Sequence, residues 1–286
     1  MTRLRPFQLH EPGTVEEATR LLEEHGDEAV VYAGGTELLL VMKLGYATFK
    51  HLIDVKGIAE LQGIEPNGEA LRIGAAVTHR EIERSPTVRE RWPALAEMER
   101  NVANLRVRGA GTLGGNLCFS DPHSDPSTFL LAADATLVAR RGGNEPRRIA
   151  IGDFVLGPYR TALEGGELLT GIEVPPVPSG AAIVHRKLAL HERPAATVTC
   201  LVRLDSDRIA EARIAVGSVG AVPVRVPTAE ALLTESEDPD VLRSAGDVAA
   251  EASGAVDDAG GSAEYKRQLV RVLVERALRE ALEEAI

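Results

Sequence analysis

Two glycine-bearing segments carry most of the chemistry this sequence offers: Ala33-Gly-Gly-Thr-Glu-Leu38 and Thr112-Leu-Gly-Gly-Asn116. A Gly-Gly pair lets successive backbone N–H groups point into one concavity, and admits a ligand where a Cβ would block it. Such nests suit phosphate oxygens, and two of them in one domain can flank a pyrophosphate from both sides. Taken singly, each reads first as a tight turn, which glycine pairs commonly mark. Asp121, His123 and Asp125 alternate in a proline-rich stretch, a pattern that can offer ligands to a divalent ion but more often caps backbone groups. His185 and His191 flank Lys187 in a strand-like run, where solvated histidines on a sheet face are the ordinary reading. The two cysteines, Cys118 and Cys200, form no CxxC and fall short of the four thiolates an iron–sulfur cluster takes. They read as buried or half-buried thiols. Redox chemistry here has to come from a bound organic cofactor or from a partner.

Several function classes drop out. Gly109-Ala-Gly-Thr-Leu-Gly114 matches G-x-G-x-x-G, but a dinucleotide fingerprint must follow a strand and open a helix. The segment before it reads helical, and Pro122 and Pro126 forbid a long helix after it. No P-loop occurs. A net charge of −11 lacks the basic footprint of a duplex nucleic-acid binder. Five Phe, four Tyr and one Trp are too few for a base-stacking platform. No apolar run reaches the roughly 18 residues that span a bilayer, since Asp134 interrupts Phe129–Ala139. Met1-Thr-Arg-Leu-Arg-Pro6 is not followed by an apolar stretch, so no secretory signal and a cytoplasmic location are expected.

The elements that must position these residues are legible in outline. At 286 residues the chain has room for about two domains of ~150 residues. Thr14 and Glu17 form a capping box for a first helix that ends at Gly26. Ala29–Ala33 reads as a strand stopping at the first glycine pair, Thr36–Lys43 as a helix, and His51–Val55 and Leu71–Val77 as strands. Thr78 and Glu81 open a helical stretch, broken by Pro86 and Pro93, that runs to about Arg106. Strands follow at Ala135–Arg140, Arg148–Ile151 and Glu167–Val174. Pro175-Pro-Val-Pro178 marks a boundary, because prolines cannot continue a central strand. Beyond it, Ala182–Leu190, Ala195–Leu204 and Arg208–Gly217 read as an antiparallel meander, the last two joined by an Asp-Ser-Asp turn. Residues 234–263 read as a helix or two with loose connections, and the acidic run Glu235–Asp240 as solvated surface. Glu264–Ile286 is an amphipathic helix with Leu269, Leu273, Ala277 and Ala281 on one face.

Taken together, these residues resemble the flavin-binding medium subunit of the molybdenum hydroxylases, collinearly over nearly the whole chain. Ala33-Gly-Gly-Thr-Glu-Leu38 is similar to that family's first FAD loop. Thr112-Leu-Gly-Gly-Asn-Leu117 and the following Ser120–Ala135 resemble its second loop and acidic turn. Glu167–Pro175 resembles the strand closing its flavin domain, while Gly217–Arg225 and the Tyr265-Lys-Arg helix resemble its carboxy-terminal domain. The resemblance implies an α+β fold: a two-subdomain PCMH-type FAD-binding domain over 1–177 (subdomains about 1–56 and 57–177), then a smaller α+β domain over 178–286 with an antiparallel sheet and helices. It implies FAD contacted by Val31, Tyr32, Ala33, Gly34, Gly35, Thr36, Glu37 and Leu38, by Thr112, Gly114, Gly115 and Asn116, and by Asp125. Leu169 and Lys187 would lie near the isoalloxazine ring, where a positive charge favours the anionic reduced flavin. His185 stands where relatives often have an aromatic residue, and Arg193-Pro-Ala-Ala-Thr197 lacks an aspartate they commonly carry after the arginine. No cysteine-rich insertion for an extra cluster is present. The implied function is electron transfer, from a large molybdenum-cofactor subunit through a small 2Fe–2S subunit in a heterohexamer, to this FAD and on to NAD, a quinone or another acceptor. The implied chain carries no catalytic residue for substrate and no metal. A stand-alone flavin oxidase of the same fold is the alternative, and the roughly 100 residues after Pro178 are short for a substrate domain with its own base.

Overall fold

The computed structural model describes residues 4–189, 193–206, 208–235 and 240–285. The first layer comprises β1 (Gln8–His10), α1 (Val15–His25), β2 (Ala29–Tyr32), α2 (Leu38–Leu44) and β3 (His51–Asp54). Its three strands lie parallel in the order β1-β3-β2. Thr14 caps α1 by accepting the Glu17 amide, as its type and spacing predict. The return arm differs, because the Glu17 carboxylate takes the amide of Gly13 at 2.9 Å rather than that of Thr14. Val15 and Ala18 of α1 pack on Ile53, Val55, Ile58 and Leu61. Parallel neighbours cannot be joined by a tight turn, so the chain must leave β2, cross over and return to β3. The glycine loop and α2 are that crossover.

A second unit follows: β4 (Ile64–Asn67), β5 (Ala70–Gly74), α3 (His79–Arg84), α4 (Pro86–Arg91), α5 (Pro93–Arg100), α6 (Leu105–Ala110), α7 (Leu113–Phe119), α8 (Asp125–Ala132), β6 (Thr136–Arg140), β7 (Arg147–Ala150), α9 (Ile151–Phe154), β8 (Val155–Gly157), β9 (Arg160–Thr161) and β10 (Leu168–Val174). Five strands form an antiparallel sheet in the order β4-β5-β10-β6-β7. Thr78 and Glu81 make the complete capping box of α3. Pro86 and Pro93 stand in the first turns of α4 and α5, where a missing N–H costs nothing. The helical stretch ends at Arg100, earlier than expected, and Asn104 caps a separate α6 by accepting the amides of Arg106 and Val107. Strand β4 carries no strand signal because it contains Pro66, which an edge strand tolerates. Strand β5 stops at Gly74, three residues before the apolar run does; a Cβ there would lie 2.3 Å from the Leu61 carbonyl oxygen.

The last unit contains β11 (Ala181–Leu188), β12 (Ala196–Asp205), β13 (Arg208–Gly217), β14 (Val224–Arg225), α10 (Pro227–Glu235), α11 (Val241–Ala252) and α12 (Ala263–Ala285). The four strands run antiparallel in sequence order. Both faces of this sheet are covered. Val184, Val198, Cys200, Val202, Ile214 and Val216 pack with α11 and α12. Ile183, Leu201 and Ala215 join the core that holds Phe129 and Leu130 of α8. Covering on both sides leaves every residue of β12 from Ala196 to Val202 buried, Thr197 and Thr199 included. On α12, Leu273, Ala277 and Ala281 are buried as periodicity predicts, and Leu269 is half-buried. His191, Asp207 and most of the acidic run Glu235–Asp240 lie outside the described residues.

Candidate functional site

A cleft of about 470 Å³ opens between the parallel layer and the second unit, and the carboxy-terminal unit contributes Arg193 and Pro194 to its rim. That volume falls within the usual range of ligand sites. All the residues expected to contact a cofactor line it except Tyr32 and Lys187. Both exceptions have a physical reason. Tyr32 lies beneath the Lys56 ammonium, 3.9 Å from the ring centroid, and packs under Gly35, where a Cβ would meet its ring at 2.5 Å. Tyr32 therefore supports the loop from the side away from the cleft. Lys187 donates to Asp125 Oδ2 at 2.6 Å and to the Asn101 carbonyl at 2.7 Å.

The glycines do something other than make room for a ligand. A Cβ on Gly34 would lie 2.1 Å from the Ala110 carbonyl oxygen, and one on Gly114 would lie 2.5 Å from that of Ala75. Both sites are filled by protein backbone, so these glycines allow the two loops to approach their neighbours. Gly35 is required in addition by its φ of +67°. The two loops also differ in the donors they leave. In the second, Leu113 donates to Val77, Gly114 to Ala75, Gly115 to the Thr112 hydroxyl and Asn116 to the Thr112 carbonyl. No backbone nest remains there, and the loop presents only the side chains of Thr112 and Asn116. In the first, the amides of Gly34, Gly35 and Thr36 find no acceptor among the described residues. Successive unpaired amides at a cleft wall are an anion-binding arrangement.

The acidic turn organises the opposite wall. Asp121 Oδ1 accepts the backbone amide of His123 at 2.9 Å and its ring nitrogen at 3.0 Å. This is the backbone-capping alternative, and Asp125 points elsewhere, so the three alternating residues do not converge on a metal. Burial opposes ionisation of Asp121, but the His123 hydrogen bonds and the Arg193 guanidinium at 3.0 Å hold its carboxyl below the usual range. Arg193 also reaches Glu37 at 3.6 Å and so ties the first loop to the acidic turn. Asp125 is 4% exposed. Burial again opposes its ionisation, and His185 with Lys187 outweighs it, leaving its pKa lowered. His185 Nε2 is 3.5 Å from Asp125 Oδ1, an electrostatic neighbour rather than a formed hydrogen bond, while its Nδ1 meets the Thr199 hydroxyl at 2.8 Å.

Sequence reasoning passed over His79 and Arg193 as site residues. His79 borders the cleft and is held from behind by the fully buried Glu99, at 2.6 Å between Nδ1 and Oε2. The twenty residues separating them carry no motif, so only the packing of α3 on α5 brings them together. Cys118 lines the cleft and Cys200 is buried, and both are free thiols. Burial pushes the Cys118 thiol up to about 12.

Comparison with known proteins gives this cleft a context. The sequence profile described as "FAD binding domain in molybdopterin dehydrogenase" matches residues 5–177, and that of the "CO dehydrogenase flavoprotein C-terminal domain" matches residues 187–281. The chain is 34% identical over 278 residues to the carbon monoxide dehydrogenase medium chain of Hydrogenophaga pseudoflava, covering 96% of each. It is 32% identical over 280 residues to the nicotine 6-hydroxylase medium subunit of Paenarthrobacter nicotinovorans, covering 98% of each. Its fold superimposes with a TM-score of 0.94 on a chain of the H. pseudoflava carbon monoxide dehydrogenase that lacks the Mo-pyranopterin moiety, at 33% identity and 98% coverage of both. The profile match over most of the chain and the full-length identity to these oxidoreductase subunits lead to one conclusion: the chain belongs to the FAD-binding medium-subunit family of the molybdenum hydroxylases, and FAD is its cofactor.

Proposed function

We propose that this chain is the electron-transfer subunit of a molybdenum-containing hydroxylase or dehydrogenase. It takes electrons from 2Fe–2S clusters of a small partner, which drains a molybdenum site in a large partner, and delivers them to NAD, a quinone or another external acceptor. The observation that carries this reading is the first glycine loop. Three amides in succession, at Gly34, Gly35 and Thr36, face a cleft without a protein acceptor, in a chain of net charge −11. That donor set fits a diphosphate, which backbone amides can bind without a basic side chain.

Thr112 and Asn116 would contribute side-chain contacts across the cleft, and Leu168 and Leu169 of β10 an apolar wall. Bound FAD supplies the redox chemistry that no side chain here offers. The residues around it hold and shield it. Asp125 and Lys187 neutralise each other, Asp121 is held by His123 and Arg193, and Cys118 stays protonated. Among the described residues lining the cleft, none forms a nucleophile–base pair for substrate chemistry. Asp125 and Lys187 belong to this assignment as the pair that fixes α8 against β11. A cytoplasmic location accords with two unpaired thiols. No helix among the described residues is long and apolar enough to cross a membrane.

The test is the visible spectrum of the purified chain, alone and co-expressed with its neighbouring subunits. The expected outcome is a flavin spectrum that bleaches with dithionite, no oxidation of organic substrates by the chain alone, and flavin reduction by substrate only when all three subunits are present. Substrate oxidation by the isolated chain would instead establish a self-sufficient oxidase.

A further inference from the structure

Three histidines meet beside β3 of the parallel sheet. His51 is the first residue of β3, in register with Ala29 at the start of β2, whereas the loop leaves the other end of β2. His10 ends β1 and His25 is the last residue of α1. His10 Nε2 and His51 Nδ1 are 2.9 Å apart, and the His25 and His51 rings stack at 3.7 Å with 3° between their planes. One ligating nitrogen from each lies within 4.8 Å of the others, and all three residues are half-buried.

No sequence motif joins positions 10, 25 and 51; a diagonal contact between the neighbouring strands β1 and β3, where His10 stands opposite Ile53, and the end of α1 assemble them. Among the described residues, the three rings hydrogen-bond to no carboxylate, carbonyl or hydroxyl, and their one hydrogen bond is to each other. Packing alone gives little reason to gather three half-buried imidazoles beside β3. Three neutral imidazoles are instead a sufficient donor set for a borderline divalent cation, which takes nitrogen at about 2.0–2.1 Å and keeps a further position for water. Tetrahedral ligation places two such nitrogens roughly 3.4 Å apart with both lone pairs aimed at the ion, so binding requires the His25 and His51 rings to turn out of their stack. Glu28 lies beside the cluster, paired with Lys50.

We propose that His10, His25 and His51 form a binding site for one divalent cation of the zinc class, which clamps β1 and the end of α1 onto β3. The site is separate from the cofactor cleft, and its role is structural.

The test uses the tag-free, FAD-loaded full chain, stripped with chelator and titrated with zinc chloride by calorimetry. One zinc per chain is expected, with a rise in melting temperature, and His10→Gln and His51→Gln should each weaken binding by about tenfold or more. Absence of zinc binding, or unchanged affinity in both variants, overturns the site. Because a variant can unfold, the unmodified chain is also treated with diethyl pyrocarbonate and mapped by peptide mass spectrometry. Zinc should protect His10, His25 and His51, and equal modification of these three with and without zinc overturns the proposal as well.

Discussion

Replacing Lys187 by methionine separates two roles for this ammonium group, a charge offered to the flavin ring and a clamp on a buried carboxylate. The structure favours the clamp. Nζ sits 2.6 Å from Asp125 Oδ2, with the two side chains only 16% and 5% exposed, and spans from β11 to α8 and the Asn101 carbonyl. Lys187→Met leaves the Asp125 carboxylate buried with only the His185 imidazole, at 3.5 Å, beside it among the described basic side chains. Breaking one side of a buried pair costs about 3–5 kcal/mol, whereas removing both charges is often close to neutral. At roughly 2–4 °C per kcal/mol for a chain of this size, the single variant should melt about 6–20 °C lower. The double variant Asp125→Asn, Lys187→Met should recover most of that loss. Melting is followed at saturating FAD by circular dichroism, and the flavin midpoint potential is measured on the same samples. In the clamp reading the double variant keeps a near-native potential, since the neutral pair is exchanged for a neutral pair. A single variant as stable as the parent, or a double variant with a clearly lowered potential, would refute the reasoning and make Lys187 a ring-facing cation.

Gly34→Ala places a methyl group 2.1 Å from the Ala110 carbonyl and forces the two loops apart. Overpacking of this kind costs about 1–3 kcal/mol, so FAD affinity should fall roughly 5- to 150-fold in fluorescence titrations; undiminished affinity would show that loop contact does not shape the site. The raised Cys118 thiol, with a pKa of about 12, and Cys200, raised by burial and by Glu230, should both resist iodoacetamide at pH 8 in the folded chain. Rapid alkylation of Cys118 before unfolding, read by mass spectrometry, would contradict its protected setting. Asp121 and Asp125 have pKa values lowered in the folded state, so their stabilisation is complete above the unfolded carboxylate range near ~3.9 and is lost as pH falls through the folded values. Urea midpoints should therefore drop below about pH 4, and the drop should be shallower in the Asp125→Asn, Lys187→Met protein; identical slopes would remove Asp125 from the account.

Features that depend on near neighbours are written in the order of the residues. The Thr14 and Thr78 caps, the proline breaks before α4 and α5, the apolar face of α12 and the meander after Pro178 all follow from local periodicity and short-range hydrogen bonding. Both glycine loops were likewise visible as pairs at the ends of predicted elements, and they meet at one cleft. What each loop does was decided only in three dimensions. The second loop's amides are taken by Val77, Ala75 and Thr112, contacts invisible to local spacing, while the first loop's amides stay open. Tertiary packing turned Tyr32 beneath its loop, paired Lys187 with Asp125 across two units, set Glu99 behind His79 and admitted Pro66 to an edge strand. It also gathered three histidines that no motif connects. The physical reason is common to all of these: a cap or a periodic face is specified by residues within one turn of each other, but the partner of a buried charge or amide is specified by the register and crossing of elements far apart in the chain.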